Sequence, residues 1–135
     1  PSAVADELQH PDGPDATRRW INAPPEWLHV APPSPQAPSD TISAENEALG
    51  TLDRGERAAI RLAVHEDARL LVIDERAGRA VAEDLGLAVT GTLGVLDVAA
   101  TEGLVNVAEV IERLRATSFR AAPPLYRWLL NRHER

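Results

Sequence analysis

The sequence predicts a helix-rich α/β fold with a small parallel sheet. Three observations predict it. The run Arg69-Leu70-Leu71-Val72-Ile73 is short, apolar after its first residue and ends at Asp74. A strand buried on both faces has that signature. A helical stripe follows, with Ala77, Ala80, Val81 and Leu85 on one side and Gly86 in the position of a terminating glycine. Leu87 to Thr90 then reads as a second strand, which makes a βαβ unit with a right-handed crossover and parallel strands.

The remaining elements follow in chain order. Ser2 is placed to cap a short helix over 3–9, which carries Val4, Leu8 and Glu7. His10-Pro-Asp-Gly-Pro breaks it. Asp15 opens a second helix, which runs through Trp20 and Ile21 and stops before Pro24-Pro25. Glu26 to Val30 has strand character, with Trp27 and His29 on one face. The proline-rich segment 31–40 reads as an extended connection within one domain spanning 1–135. A weak helix is expected over 43–49, ended by Gly50, and a stronger one starts after Leu52. Leu93, Leu96, Ala99 and Ala100 mark a helix closed by Gly103. Asn106 and Glu109 form a capping pair for a helix with Val107, Val110, Ile111 and Leu114 on one face. Pro123-Pro124 starts the last helix, through Leu125, Trp128 and Leu129.

Composition narrows the function classes. The chain has 135 residues and no cysteine, which excludes disulfides and thiolate metal sites. Its four histidines are scattered without ligand spacing and read as surface residues. No apolar run approaches the length of a membrane helix, and no signal-peptide pattern is seen, so cytoplasm is the default expectation. The net charge of −7 argues against nucleic-acid binding by bulk electrostatics. The charge is uneven, however. Residues 113–135 hold six arginines and one glutamate. Such a face suits RNA or an acidic partner, although a solvated helix face is the simpler reading.

The acids invite two readings. Ligands of βαβ units collect at the carboxyl ends of the strands, where Asp74 lies, and Glu56 falls in the first turn of the preceding helix. Carboxylates so placed suit Mg²⁺ or Mn²⁺, which prefer oxygen ligands. Asp53 and Glu56 also form an Asp-x-x-Glu capping box, and Asp74 is a natural N-cap. Spacing alone favours the caps.

LDRGERAAIRLA at 52–63 and RLLVIDERAGRAVAEDLGLAVTGTLGVL at 69–96 together resemble the PIN-like proteins related to VapC-type toxins. The likeness continues through EGL at 102–104 and SFRAAPPLYRWLL at 118–130, and back to AVADELQHP at 3–11. The resemblance implies a three-layer α/β/α nuclease fold. It also implies a cluster of acids that binds Mg²⁺ or Mn²⁺ and cleaves single-stranded RNA. It maps the cluster onto Glu7, Glu56 and Asp74, with Asp53 and Glu75 as supporting acids. Arg113, Arg115, Arg120 and Arg127 become candidate RNA contacts. An antitoxin protein is the implied partner.

Two departures shape the expectation. The family pattern starts with a strand bearing a first acid, whereas this sequence opens at the Glu7 helix. It therefore reads as an N-terminally truncated PIN-like domain, with a homodimer or strand exchange expected to cover the sheet edge. Ala100 stands where relatives often carry lysine. Two functions follow: a metal-dependent endoribonuclease, or a non-catalytic interaction module that keeps the fold.

Overall fold

The computed structural model describes residues 1–33 and 47–134. Eight helices and two short strands are seen among them. The chain divides into two compact units, Pro1–Val89 and Thr90–Arg135, each with its own core.

In the first unit, α1 (Ser2–Leu8) and α2 (Asp15–Asn22) pack together, and α1 also packs on α4 (Arg54–His65). The expected helix at the start is present, but its N-cap is Pro1 and Ser2 is already helical. No strand forms at Glu26–Val30. That segment is a turn and irregular chain, and Trp27 is 72% exposed rather than set into a sheet face. Pro24, Pro25, Pro32 and Pro33 flank it and remove ladder donors. The expected connection at 31–40 and the start of the weak helix at 43–49 lie largely outside the described residues. The described part of that region is α3 (Glu47–Thr51), in which Gly50 is an interior residue and not the stop.

α4 begins as its spacing predicts. The Asp53 carboxylate accepts from the Glu56 N–H at 2.9 Å, and the Glu56 carboxylate accepts from the Asp53 N–H at 3.4 Å. The helix ends at His65 with Glu66 as its C-cap, and Asp67 beyond it takes a left-handed φ of 49°. Ala68 N–H then closes back on Ala63 O at 2.9 Å.

The βαβ unit is real but shorter than expected. β1 is Leu71–Val72, α5 is Arg76–Asp84 and β2 is Val89–Thr90, and the strands form a small parallel sheet. Leu71 N–H donates to Ala88 O at 2.9 Å. Burial alternates along β1, with Leu71 and Ile73 inside and Leu70 and Val72 more than half exposed. The strand is thus covered on one face, not two. A two-residue ladder supplies too little sheet to bury a second face. The buried side of α5 is Gly78, Val81 and Ala82, while Ala77 and Ala80 face solvent. The true stripe is 78, 81, 82 and 85, one helical face at i, i+3, i+4 and i+7. Gly86 ends α5 as expected. Its φ of +79° lets Leu87 N–H reach Ala82 O at 3.0 Å. Ile60 and Ala82 are fully buried at the centre of this core, with Leu49, Leu52, Leu71, Ile73 and Val81 around them.

The second unit packs three helices: α6 (Thr92–Thr101), α7 (Val107–Arg115) and α8 (Pro123–His133). Gly103, at φ +71°, closes α6 as its position predicts. The Asn106 side chain caps α7 by accepting from Glu109 N–H at 3.1 Å. The core is Ile111, Tyr126 and Leu129, flanked by Leu93, Leu96, Val107 and Leu114.

One polar tie joins α6 to α8. Arg132 Nε donates to Asp97 Oδ1 at 2.8 Å, and His133 Nε2 donates to the same oxygen at 2.7 Å. His133 is therefore a hydrogen-bond partner of Asp97, with its side chain 17% exposed, and not a free surface residue. The His133 bond, with Arg132 adding to it, holds the Asp97 carboxyl below the usual carboxylate range. A lowered acid stabilises the fold above its unfolded value, and that contribution is lost as pH falls through the lowered value. Asp97→Asn is expected to lower the thermal midpoint at neutral pH. The gap from wild type should close under acid conditions below the ordinary aspartate range. Equal midpoints at pH 7 would contradict the tie.

Candidate active site

The first turn of α4 sets the site. The capping box fixes Glu56 by its backbone and its carboxylate together. Two glycines bring neighbouring elements close to it. A methyl group at Gly55 would lie 2.6 Å from Glu7 Oε1, so the bare α-carbon lets the α1 carboxylate rest on α4. A methyl at Gly78 would lie 3.6 Å from the Glu56 carboxyl carbon and 2.7 Å from Ile73 Cδ1. Small residues at both points allow α1, α4 and α5 to converge around Glu56.

The electrostatics report the same convergence. Burial raises the Glu56 carboxyl above its ordinary value, and Asp53 adds to this by charge repulsion. The hydrogen bond with Asp53 opposes the rise, while Glu75 and Glu7 reinforce it. Of the acids expected at this site, Glu7, Asp53 and Glu75 therefore act on Glu56. Glu75 sits at the N-cap of α5 with no side-chain cap bond, so Asp74 is not the N-cap. The backbone places Asp74 one residue earlier, beside a depression of about 280 Å³ that Arg76, Arg79, Ala80 and Glu83 also line. Glu75, which the resemblance offers as a supporting acid, adds to the rise at Glu56.

Among the described residues, no three acidic or histidine side chains lie close enough to hold a metal ion as a group. The donors gathered at Glu56 are nonetheless all carboxylate oxygens. That chemistry suits a hard dication, which keeps several waters and needs only one or two carboxylates from the protein.

The arginines expected to contact RNA all lie in the second unit and are exposed. Arg115 stacks over the Tyr126 ring at 4.8 Å, and Arg120 Nη1 donates to the carbonyls of Thr117 and Phe119 at 2.7 and 2.8 Å. These two are engaged locally. The Asp97 tie escaped sequence reading because 35 and 36 residues separate its partners, and no local spacing signals it.

The raised Glu56 carboxyl has a consequence for stability. The fold favours its neutral form, so the ionised form subtracts stability. The penalty is absent below the ordinary glutamate range and complete once pH has passed the raised value. Glu56→Gln keeps an acceptor for the Asp53 N–H and removes the charge. In chelator at pH 7 it is expected to melt no lower than wild type, and its advantage should vanish on acidification. A lower midpoint at pH 7 would contradict the repulsion.

Comparison with known proteins agrees with this architecture. A family model described as a PIN domain matches residues 1–135. No curated protein and no solved structure gives a significant match. No helix among the described residues is long and apolar enough to cross a membrane. PIN domains carry a nuclease-type fold, and they are generally divalent-metal-dependent nucleases acting on RNA. The match spans the whole sequence, and the chain belongs to the PIN-domain family.

Proposed function

We propose that the chain is a metal-dependent endoribonuclease of the VapC-toxin type, with Glu7, Glu56 and Asp74 as its acids. The observation that supports the reading is the close approach of the Glu7 carboxylate to Gly55 and of the Glu56 carboxyl to Gly78, beside the strand end that carries Asp74 and Glu75; burial first, and then repulsion from Asp53, Glu75 and Glu7, raises the Glu56 carboxyl. Like charges held together without need are a cost, and acidic sites of this kind are where function places them.

Glu7 and Glu56 would hold Mg²⁺ or Mn²⁺, with Asp74 or Glu75 completing the set. When bound, such an ion polarises a phosphate and lowers the pKa of a coordinated water. The residues of the chain do the rest. Asp53 holds the backbone and side chain of Glu56 in one orientation. Gly55 keeps Glu7 against the same turn. The capping role of Glu56 is compatible with ligation, because a carboxylate has two oxygens and the N-cap hydrogen bond uses one.

A second reading is a non-catalytic interaction module. The lack of a three-acid metal group among the described residues favours it. Cleavage of a labelled single-stranded RNA in Mn²⁺ separates the two. Wild type is expected to cleave, and Asp74→Asn to fall by roughly tenfold to a hundredfold, the range that loss of a metal-site partner commands. Gly55→Ala should fall too, because it displaces the far end of the flexible Glu7 side chain while the helix gains about 1 kcal/mol of propensity. Folded wild-type protein without metal-dependent cleavage would support the interaction module. Full activity in Asp74→Asn alongside loss in Glu75→Gln would move the third acid to Glu75.

A further inference from the structure

A groove of about 430 Å³ opens in the first unit, and none of the candidate-site acids lines it. One wall is α4, which contributes Arg54, Arg57, Arg61 and Leu62; the start of α1 and Pro32–Pro33 form the other. The arginines recur at i, i+3 and i+7, so they share one helix face over about 10 Å. Arg54 lies 3.6 Å from Asp6. Among the described residues, no carboxylate lies within ion-pair distance of Arg57 or Arg61.

This is an exception in a chain of net charge −7. The overall field repels a polyanion, so a polyanionic ligand needs a local cationic path. Two guanidinium groups with no carboxylate partner among the described residues, set beside apolar walls, provide one, because low-dielectric surroundings strengthen their field. The stripe is linear and suits an occupant with a charge on every repeat unit. The lining holds no amide or aromatic side chain to read a base. By helical periodicity Glu56, Ile60 and Ala63 fall on the opposite face of α4.

We infer that this groove is an exosite for the phosphate backbone of single-stranded RNA, held by Arg57 and Arg61 on the flank of α4 opposite Glu56. The inference rests on the nuclease reading for its substrate class and deepens it. A strand must pass around α4 to touch both faces, so the exosite serves long strands and not short ones. Its contacts are to phosphates, so binding tolerates any sequence.

Fluorescence anisotropy in chelator tests this without cleavage, using labelled oligouridine dodecamer and trinucleotide. For Arg57→Gln/Arg61→Gln, the dodecamer is expected to bind roughly tenfold more weakly at about 50 mM salt, with a log–log salt slope shallower by about 1.4. Trinucleotide binding should not change. Arg57→Lys/Arg61→Lys, which keeps the charges, should restore most of the affinity, and circular dichroism checks the helix. Unchanged dodecamer affinity in the folded Gln variant overturns the exosite. So does an oligoglutamate dodecamer that binds as tightly and loses as much, which would make the groove a protein-docking surface. Failure of the nuclease reading is distinguishable: it appears as missing Mn²⁺-dependent cleavage while the binding difference persists.

Discussion

The reciprocal bond pair between Asp53 and Glu56 is the constraint on which the site depends. It starts α4, orients Glu56 and places a negative charge where the helix dipole favours it. It also puts two carboxylates side by side, before Glu7 and Glu75 add to the repulsion. The N-terminal turn of a helix partly offsets that cost, and so gives the chain a place to collect acids without unfolding. The glycines at 55 and 78 complete the device by removing the side chains that would hold the neighbouring elements off.

Legibility in the sequence followed the range of the interaction. The capping box, the Asn106 cap and the glycine stops at 86 and 103 are local, and the spacing of the residues names them. The βαβ order was legible for the same reason. Strand burial was not, because an apolar run cannot say how much sheet will cover it, and Leu70 and Val72 stay exposed. The stripe of α5 was legible at Val81 and Leu85 but not at Ala77 and Ala80, because alanine fits either face, whereas Gly78 is inside for a reason of close approach.

At the site, the family resemblance pointed to Glu7, Glu56 and Asp74 and set Glu75 in a supporting place, while the charge acting on Glu56 from the strand end is that of Glu75. The difference depends on where the strand ends and the helix cap begins, a matter of one residue. The Asp97 tie and the α4 arginines, which have no carboxylate partner among the described residues beyond Asp6, were invisible for different reasons. The first spans the second unit end to end. The second requires knowing which acids are near, and a count of charge along the chain drew attention to the arginine-rich end instead.

The central claim is that the carboxylates around Glu56 are gathered to receive a dication. Calorimetric titration of Mn²⁺ into wild type and Glu56→Gln at neutral pH tests it most directly. Saturable binding is expected in wild type, weakening on acidification as protons compete for the raised Glu56 carboxyl, and is expected to be lost in the variant. Binding of equal strength in Glu56→Gln, or none in folded wild type, would contradict it.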